Sequence, residues 1–328
     1  MRVIDYHMHT HFSGDSEASP REHVLQAIKM NLNEICFTDH RDFDYPIDSF
    51  ELDVENYYQT IQALKEEFKD QITIKWGIEM GLDLDHQEEI EKLIQSYPFD
   101  FVIGSIHVIH HTEFYYGEFF KGKTKEEAHR EFFEETLKCV KAFDCFNVLG
   151  HLDYIVRYGP YQDKTVDHAK YQDIIDEIFK TLIKGKGIEV NTSGYKDLKI
   201  CGFPNFEQVQ RYYDLGGRII TIGTDSHTSD RVGENCLTVT KKYQEIIRED
   251  IETVIEIFNN REVKGEFVLI VEGFSGEVEE VGKYDELNER EYVIQLMEEG
   301  INKKDAIKIV CKDRKLKKDI VYKQVLDL

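Results

Sequence analysis

Hydrophobic and polar positions follow two alternating patterns over the first two thirds of the chain. Short runs rich in β-branched and aromatic residues are separated by longer stretches in which apolar residues recur every three or four positions. The first pattern predicts strands and the second predicts amphipathic helices. The seven predicted strands are residues 2–6, 33–38, 72–78, 99–105, 146–150, 187–191 and 218–223. The six predicted helices are residues 20–31, 54–68, 86–97, 125–143, 169–185 and 205–216.

The order of these elements predicts the fold class. Pro20 stands at the first helical position behind Ser19, and Gly216 follows the last predicted helix where a C′ glycine is expected. Six βα units and a seventh strand are too regular for an α+β fold, so we predict an α/β fold. Closing seven parallel strands gives a barrel, in which the functional loops follow the carboxyl ends of the strands.

The pattern changes after residue 223. A helical pattern over residues 237–258 leads to one more apolar run, residues 266–272, which has the length of a buried strand. If that run closes the barrel, a chain ending at residue 235 exposes a hydrophobic edge and aggregates. An acidic, glycine-containing stretch follows and is typical of a linker, and the remaining residues predict two or three short helices.

Composition and charge exclude several classes of protein. The 328 residues carry 41 basic and 64 acidic side chains, for a net charge of −23. No run approaches the ~18 apolar residues of a membrane span, and 41% hydrophobic residues are typical of a folded chain. The six scattered cysteines and an amino terminus without an apolar leader pattern predict reduced thiols in a cytoplasmic protein.

Histidine and acidic residues follow successive predicted strands. All 13 histidines lie between His7 and His227. Because parallel strands end at one rim of a barrel, nitrogen and carboxylate donors at those ends share one pocket and need a compensating cation. The residues concerned are His7, His9, Asp39, His40, Glu79, His107, His151, Asp225 and His227. His7 and His9 are two positions apart in an extended strand, so both rings can reach the same ion.

Several short motifs resemble the polymerase and histidinol phosphatase (PHP) superfamily. They are DYHMHTH, TDH at residues 38–40, GIE at 77–79, GSIH at 104–107, GHLD at 150–153 and TDSH at 224–227. The segments LGHLDYIVRYGP and EVNTSG are similar to those of monofunctional histidinol-phosphate phosphatases. The resemblance covers residues 1 to about 235 and implies a distorted seven-stranded (β/α) PHP barrel with a small C-terminal helical segment.

The resemblance also implies the site residues and the reaction. A phosphatase of this family hydrolyses L-histidinol phosphate in histidine biosynthesis with two or three divalent ions, which could be Zn, Mn or Fe. Arg157 grips the substrate phosphate, and Asp225 and His227 are the further catalytic residues. The implied metal ligands are His7, His9, Asp15, His40, Glu79, His107, His151, Asp225 and His227. Asp15 occupies a position where other branches of the superfamily carry histidine.

The chemistry of phosphate monoesters agrees with such a site. A phosphate dianion repels an attacking anion, and several divalent ions offset that repulsion, supply hydroxide near pH 7 and stabilise the leaving alkoxide. The planar fork of Arg157 matches phosphate geometry. Asp153 is interpreted either as a partner that orients His151 or as a helix N-cap.

The remaining histidines receive less specific interpretations. His11 is expected either beside the ligands or in solvent, and the aromatic loop that holds His110 and His111 could fold over the pocket and contact substrate. The others are predicted to be surface residues: His23, His86, His129 and His168.

The tail resembles a different family, and it divides the chain into four predicted parts. Residues from about 237 onward are similar to the carboxyl-terminal part of ribosomal RNA cytidine 2′-O-methyltransferases, without that family's cofactor-binding loops. The predicted parts are a barrel at 1–235, a helix and strand at 236–272, a linker at 273–285 and a basic helical module at 286–328.

The expected partners follow from these parts. The barrel is expected to take a small phosphorylated substrate, and no membrane partner is expected. Residues 303–323 carry nine basic and three acidic side chains, which indicates either a solvated surface or, as the weaker alternative, a contact with RNA beside an inactive barrel. Another PHP phosphoesterase activity, on a nucleotide or a small monoester, is the remaining alternative, and the oligomeric state stays open.

Overall fold

A computed structural model describes residues 2–46, 50–197, 202–243, 284 and 287–328. All seven predicted strands are present in one largely parallel sheet, with additional short strands at the rim. The strands are β1 (Ile4–Asp5), β2 (Glu34–Phe37), β3 (His40–Arg41), β4 (Thr73–Gly81), β5 (Phe101–Ser105), β6 (Val108–Ile109), β7 (Thr112–Glu113), β8 (Val148–Leu149), β9 (Gly187–Asn191) and β10 (Ile220–Gly223).

The six predicted helices are also present, as are the first residues of the helix predicted over residues 237–258 and short helices that the sequence pattern did not indicate. The helices up to residue 243 are α1 (Pro20–Lys29), α2 (Val54–Glu67), α3 (Gln87–Ser96), α4 (Lys125–Ala142), α5 (Ile155–Tyr158), α6 (Gln172–Leu182), α7 (Gly194–Asp197), α8 (Phe206–Asp214) and α9 (Cys236–Tyr243). Pro20 opens α1 behind Ser19, and Gly216 has the positive φ of 108° that a C′ residue requires. Both local predictions are confirmed.

The sheet closes into a barrel through backbone hydrogen bonds between its first and last strands. The order of neighbouring strands is β1-β2-β4-β5-β8-β9-β10, and β3 pairs with β4. Tyr6 N–H donates to the carbonyl of Ile222 at 2.8 Å, Asp225 N–H to that of His7 at 2.8 Å, and His9 N–H to that of Ser226 at 2.9 Å. The predicted α/β barrel of seven strands is confirmed.

This closure corrects one expectation. Because β10 bonds directly to the segment that continues β1, residues 266–272 are not needed to complete the ring, and the closing-strand hypothesis is wrong. Those residues lie outside the described part of the chain, as do the predicted linker apart from Tyr284 and residues 244–258 of the predicted helix.

The core lies inside the ring and between the strands and the outer helices. Trp76 of β4 is 1% exposed and packs on the rings of Tyr58 and Phe99, with centroids 4.7 and 4.2 Å away. Gly77 follows Trp76, and a Cβ there would come within 2.6 Å of the carbonyl oxygen of Phe101 on the next strand. Only glycine therefore lets β4 and β5 approach this closely.

The chain divides into two compact units, residues Met1–Arg248 and Glu249–Leu328. In the second unit three helices, α10 (Glu289–Glu298), α11 (Lys303–Asp313) and α12 (Lys318–Gln324), surround their own apolar cluster. Asn288 begins α10 with a reciprocal capping box. The four-part division of the chain from sequence stays a prediction. In the described residues no helix is both long and apolar enough to cross a membrane.

The placement of α9 changes the expected effect of shortening the chain. Cys236 and Val239 on α9 are 0% and 1% exposed and belong to the main core. Their burial contributes roughly 3 kcal/mol at about 1.5 kcal/mol for each apolar side chain. A chain ending at residue 248 should therefore unfold at the temperature of the full barrel, whereas one ending at residue 235 should unfold at a clearly lower temperature in a thermal melt followed by circular dichroism. Equal melting temperatures would contradict a structural role for α9.

Candidate metal centre

The predicted ligands lie at the carboxyl ends of the strands, where the barrel places them within reach of one another. His7 and His9 follow β1, His40 opens β3, and Asp225 and His227 follow β10. Among the residues that the structure describes, four groups each have ligand atoms within 4.8 Å of one another. They are His9/His40/His227, His7/Glu79/His151, His7/His9/Asp225 and His40/Asp42/His107.

Glu79 stands at the centre of these groups. Its Oε2 atom is 3.1 Å from His7 Nε2 and 2.8 Å from His40 Nδ1. Its Oε1 atom is 2.9 Å from His151 Nε2 and 3.4 Å from His107 Nε2. Glu79 belongs to the buried end of β4, so one carboxylate faces imidazoles from four different strand ends.

Asp225 forms the second anionic point of the site. Its Oδ1 atom is 3.3 Å from His9 Nε2 and 3.8 Å from His7 Nε2. The residue has a φ of 53°, a left-handed conformation that aspartate adopts more readily than most residues. Its N–H bonds to the His7 carbonyl, so the same turn that closes the barrel also aims this carboxylate.

The outer part of the site is more exposed. His227 Nε2 is 3.0 Å from Asp15 Oδ2, and His40 Nε2 is 3.7 Å from the same oxygen. The side chains of His227 and Asp15 are 29% and 42% exposed. The His9 ring stacks on those of His40 and His227, with centroids 3.9 and 4.3 Å away. Asp15 therefore contacts two predicted ligands, although it comes from the loop after β1.

The hydrogen-bonding state of these buried atoms tests whether the site suits a cation. Among the described residues, His7 Nε2, His9 Nε2, His40 Nδ1 and Glu79 Oε2 have no hydrogen-bond partner, although the nitrogens approach Glu79 Oε2 to between 2.8 and 3.5 Å. Buried polar atoms are normally satisfied. These ring nitrogens converge on a carboxylate without forming hydrogen bonds to it. Such an arrangement is suited to binding a divalent ion that prefers mixed nitrogen and oxygen ligands.

The pKa shifts within the cluster also indicate a site that suits a cation. Burial opposes a charged His7 ring, but Glu189, Glu79 and Asp225 outweigh it and hold the pKa of His7 well above its usual value. Burial and the neighbouring His40 and His227 rings hold the pKa of His9 well below its usual value. Burial would raise the pKa of Glu79, yet the surrounding imidazoles hold it well below the usual range. Ligation needs deprotonated rings, so metal binding here releases protons and weakens as the pH falls.

Arg157, predicted to bind the substrate phosphate, lies beside the predicted ligand Asp225. It projects from the short helix α5, and its side chain is 17% exposed. Both terminal nitrogens are 3.0 Å from Asp225 Oδ2, and one also donates to the Ser193 hydroxyl. Burial would raise the pKa of Asp225, but Arg157 and His7 hold it well below the usual range. The guanidinium therefore stands at the mouth of the cluster.

Three acidic residues of the site were not among the predicted ligands. Asp42 Oδ1 is 2.9 Å from His107 Nδ1, and it lies two positions after His40, the same spacing that singled out His7 and His9. Glu189 contacts His7 from within strand β9, where nothing in the sequence distinguishes it from other strand residues. Glu113 is buried on β7 of a hairpin that begins immediately after His107.

Several predictions about the other histidines are wrong. His23, His129 and His168 were predicted on the surface but are 0%, 1% and 9% exposed. His168 Nε2 is 2.9 Å from Asp153 Oδ1, so Asp153 pairs with His168 rather than with His151. His86, half-buried, lies between Asp83 and Asp44.

The histidines for which alternatives were open are exposed: His11, His110 and His111. The loop that holds the last two nevertheless reaches the site through its aromatic residues. Tyr115 packs edge to face on Tyr158, which neighbours Arg157, with ring centroids 5.4 Å apart. Phe114 is buried against Tyr154, whose own ring stacks on His151 at 4.5 Å.

Comparisons with known proteins agree with this geometry. The PHP domain model matches residues 5–193. A histidinol-phosphatase from Lactococcus lactis subsp. lactis (strain IL1403) is 48% identical over 233 residues, which cover 70% of this chain and 86% of the relative. A crystal structure of histidinol phosphate phosphatase from the same organism, complexed with zinc, L-histidinol and phosphate, superposes with a TM-score of 0.69. It is 46% identical and covers 74% of this chain and 93% of the other.

A separate similarity concerns another part of the chain. The ribosomal RNA small subunit methyltransferase I of Bacillus subtilis (strain 168) is 40% identical over 86 residues, which are 26% of this chain and 30% of that protein. The similarity to histidinol-phosphatases is much longer, and the PHP model alone spans more than half of the chain. The chain belongs to the PHP domain family, and its long relatives within that family are histidinol-phosphatases.

Proposed function

We propose that this chain is a metal-dependent phosphatase that hydrolyses L-histidinol phosphate to L-histidinol and phosphate in histidine biosynthesis. The observation that carries the proposal is the set of imidazole and carboxylate atoms without hydrogen bonds around Glu79, with the Arg157 guanidinium beside them. A relative at 48% identity and a superposable structure that holds zinc, L-histidinol and phosphate support the same reaction.

The proposal assigns the groups of neighbouring donors to two or three divalent ions, with Zn, Mn and Fe as candidates. An inner part of the site uses His7, Glu79, His107, His151 and Asp225, and an outer part uses His9, His40, His227 and Asp15. Ions held there reduce the repulsion between a phosphate dianion and its attacker and stabilise the leaving alkoxide. Asp42, beside His107, is a candidate ligand or a partner that orients that ring.

Arg157, Asp225 and His227 are assigned further roles in binding the substrate. Arg157 binds the nonbridging phosphate oxygens with a planar pair of N–H groups, which suits phosphate better than a point charge does. Asp225 links the outer part of the site to Arg157, because its Oδ1 faces His9 and its Oδ2 accepts from Arg157. His227, the most exposed of the predicted histidine ligands, faces the side from which substrate enters.

Glu113 is a candidate partner for the amine of the substrate. Its side chain is 1% exposed, its Oε2 accepts the N–H of Tyr116, and no described residue donates to its Oε1. Burial, then the charges of Asp42 and Glu113, raise the pKa of Tyr45. A buried carboxylate with a free oxygen suits the ammonium group of L-histidinol phosphate.

Phosphate release from two esters tests the function. We expect the wild-type protein to release phosphate from L-histidinol phosphate, and a chelator to abolish that activity until Zn²⁺ or Mn²⁺ is restored. Glu113→Gln should raise KM for L-histidinol phosphate roughly tenfold, since a charged hydrogen bond is worth about 1.5–3 kcal/mol. It should leave KM for 4-nitrophenyl phosphate, which has no amine, unchanged.

The control for this experiment is Glu135→Gln. Glu135 is a buried glutamate on α4 that pairs with Lys138, so its replacement should change neither KM. Failure of the wild-type protein to hydrolyse L-histidinol phosphate would overturn the proposed function. An equal change in both KM values for Glu113→Gln would overturn only the role of Glu113.

We infer that the tail derives from the end of a ribosomal RNA methyltransferase, supported by the similarity over 86 residues. The exposed lysines of α11 and α12 keep RNA contact as a second hypothesis, and retention of RNA by residues 286–328 would test it.

A cytoplasmic location is supported by the free thiols of Cys36, Cys139 and Cys236, which are buried without disulfide partners.

A further inference from the structure

Glu189 occupies a position beneath the candidate metal centre that links three strand ends. It belongs to β9, between β8 and β10, and is 1% exposed. Its Oε1 atom is 2.6 Å from His7 Nδ1. Its Oε2 atom accepts the backbone N–H of His151 at 2.9 Å and the side-chain amide of Asn191 at 3.3 Å.

The Glu189 carboxylate packs against a glycine at the end of β10. A Cβ on residue 223 would come within 2.4 Å of Glu189 Oε1 and 2.2 Å of His7 Cβ. Gly223, at the end of β10, therefore leaves the space in which the bond between His7 and Glu189 forms. Because β10 also closes the barrel against β1, this contact depends on the complete ring.

The hydrogen bond to Glu189 determines what His7 presents to the site. A ring whose Nδ1–H donates to a carboxylate must direct its Nε2 lone pair the other way. In this structure Nε2 of His7 lies 3.1 Å from Glu79 Oε2 and 3.8 Å from Asp225 Oδ1, on the side of the other ligands. The second oxygen of Glu189 holds the backbone of His151, whose Nε2 is 2.9 Å from Glu79 Oε1.

We propose that Glu189 is a positioning residue that couples the two inner ligands His7 and His151, so that both are aligned or misaligned together. The groups His7/Glu79/His151 and His7/His9/Asp225 depend on it, whereas the group His9/His40/His227 includes neither residue that Glu189 contacts. Loss of Glu189 should therefore weaken the inner ions selectively. This inference rests on the proposed function only in requiring that the site bind metal ions.

Glu189→Gln is the variant that tests the proposal. Glutamine has nearly the same volume, but it can accept at only one of the two positions and carries no charge. Removing such a partner of a ligand typically weakens metal affinity about 10- to 100-fold. Metal content should be measured for the full chain across a series of chelator concentrations. The variant should lose the inner ions first and keep the ion bound by the outer group, and turnover should recover at high Zn²⁺.

Two further variants test which ions are lost when a single side chain is changed. His227→Ala should lose the outer ion and keep the inner ones, which is the opposite result. Glu34→Gln changes another buried strand glutamate, which bonds Tyr6 at the start of β2, and should keep all ions. Equal loss of every ion from a Glu189→Gln protein that keeps the wild-type circular dichroism spectrum, or unchanged metal affinity, would overturn the proposal.

A measurement on the wild-type protein decides the matter if Glu189→Gln does not fold. Nitrogen-15 NMR of the zinc-loaded chain should show His7 with a protonated Nδ1 and a metal-bound Nε2. A His7 ring bound through Nδ1, or lacking a proton there, would overturn the role of Glu189. Phosphate release from L-histidinol phosphate by the same sample reports on the proposed function separately, because an active enzyme with either NMR result remains a phosphatase.

Discussion

Glu79→Gln should lower turnover at least about 10³-fold, since metal ions contribute several kcal/mol to catalysis and each 1.36 kcal/mol is a factor of ten. Glu79 lies within 3.5 Å of a ring nitrogen of five histidines, His7, His9, His40, His107 and His151. Glutamine keeps the volume and can still accept from Ser105, which donates to Oε1 at 2.6 Å. It removes the negative charge that two neighbouring ions would share.

The measurement for Glu79→Gln combines phosphate release with metal content after purification. Both should fall together, while the circular dichroism spectrum stays that of the wild-type protein, because the rim of a barrel contributes less to stability than its core. The matched control is again Glu34→Gln, the same change at the opposite end of the barrel. Wild-type turnover in Glu79→Gln would contradict the assignment of the site. His9→Ala and Asp225→Ala should follow the same pattern.

Arg157→Lys should lower kcat/KM about 10- to 100-fold, the loss expected when one charged hydrogen bond worth roughly 1.5–3 kcal/mol disappears. Lysine keeps the charge but cannot present two parallel N–H groups to a phosphate. Metal content should stay unchanged, because Arg157 binds Oδ2 of Asp225 and the oxygen that faces His9 is Oδ1. Arg157→Ala should be slower still.

Steady-state kinetics with L-histidinol phosphate and metal analysis of the same samples check this expectation. The matched control is Arg130→Lys on α4, where the arginine is exposed, donates to the carbonyl of Lys170 and lies 3.9 Å from Glu134. That variant should match the wild-type protein. Full activity of Arg157→Lys would show that the planar fork does not contact phosphate, and loss of metal would show that Arg157 acts through Asp225 instead.

The sequence by itself determined the barrel and the rim at which its histidine and acidic residues meet. Strand and helix periods differ, so seven strands and six helices could be read locally, and caps such as Ser19 and Gly216 marked their ends. Parallel strands end at one rim, so polar residues after successive strands had to meet. His23 could also have been placed correctly, because it shares the buried stripe of α1 with Pro20, Val24 and Ala27.

Only the tertiary structure decided which atoms meet and how the ring closes. Glu189 and Asp153 contact His7 and His168, and these pairs join residues that are 182 and 15 positions apart, where no local pattern exists. The closure of the barrel likewise depends on backbone bonds between Tyr6 and Ile222, which carry no side-chain pattern. Local periodicity reports which face of an element is buried, whereas the identity of its neighbour depends on how distant segments pack.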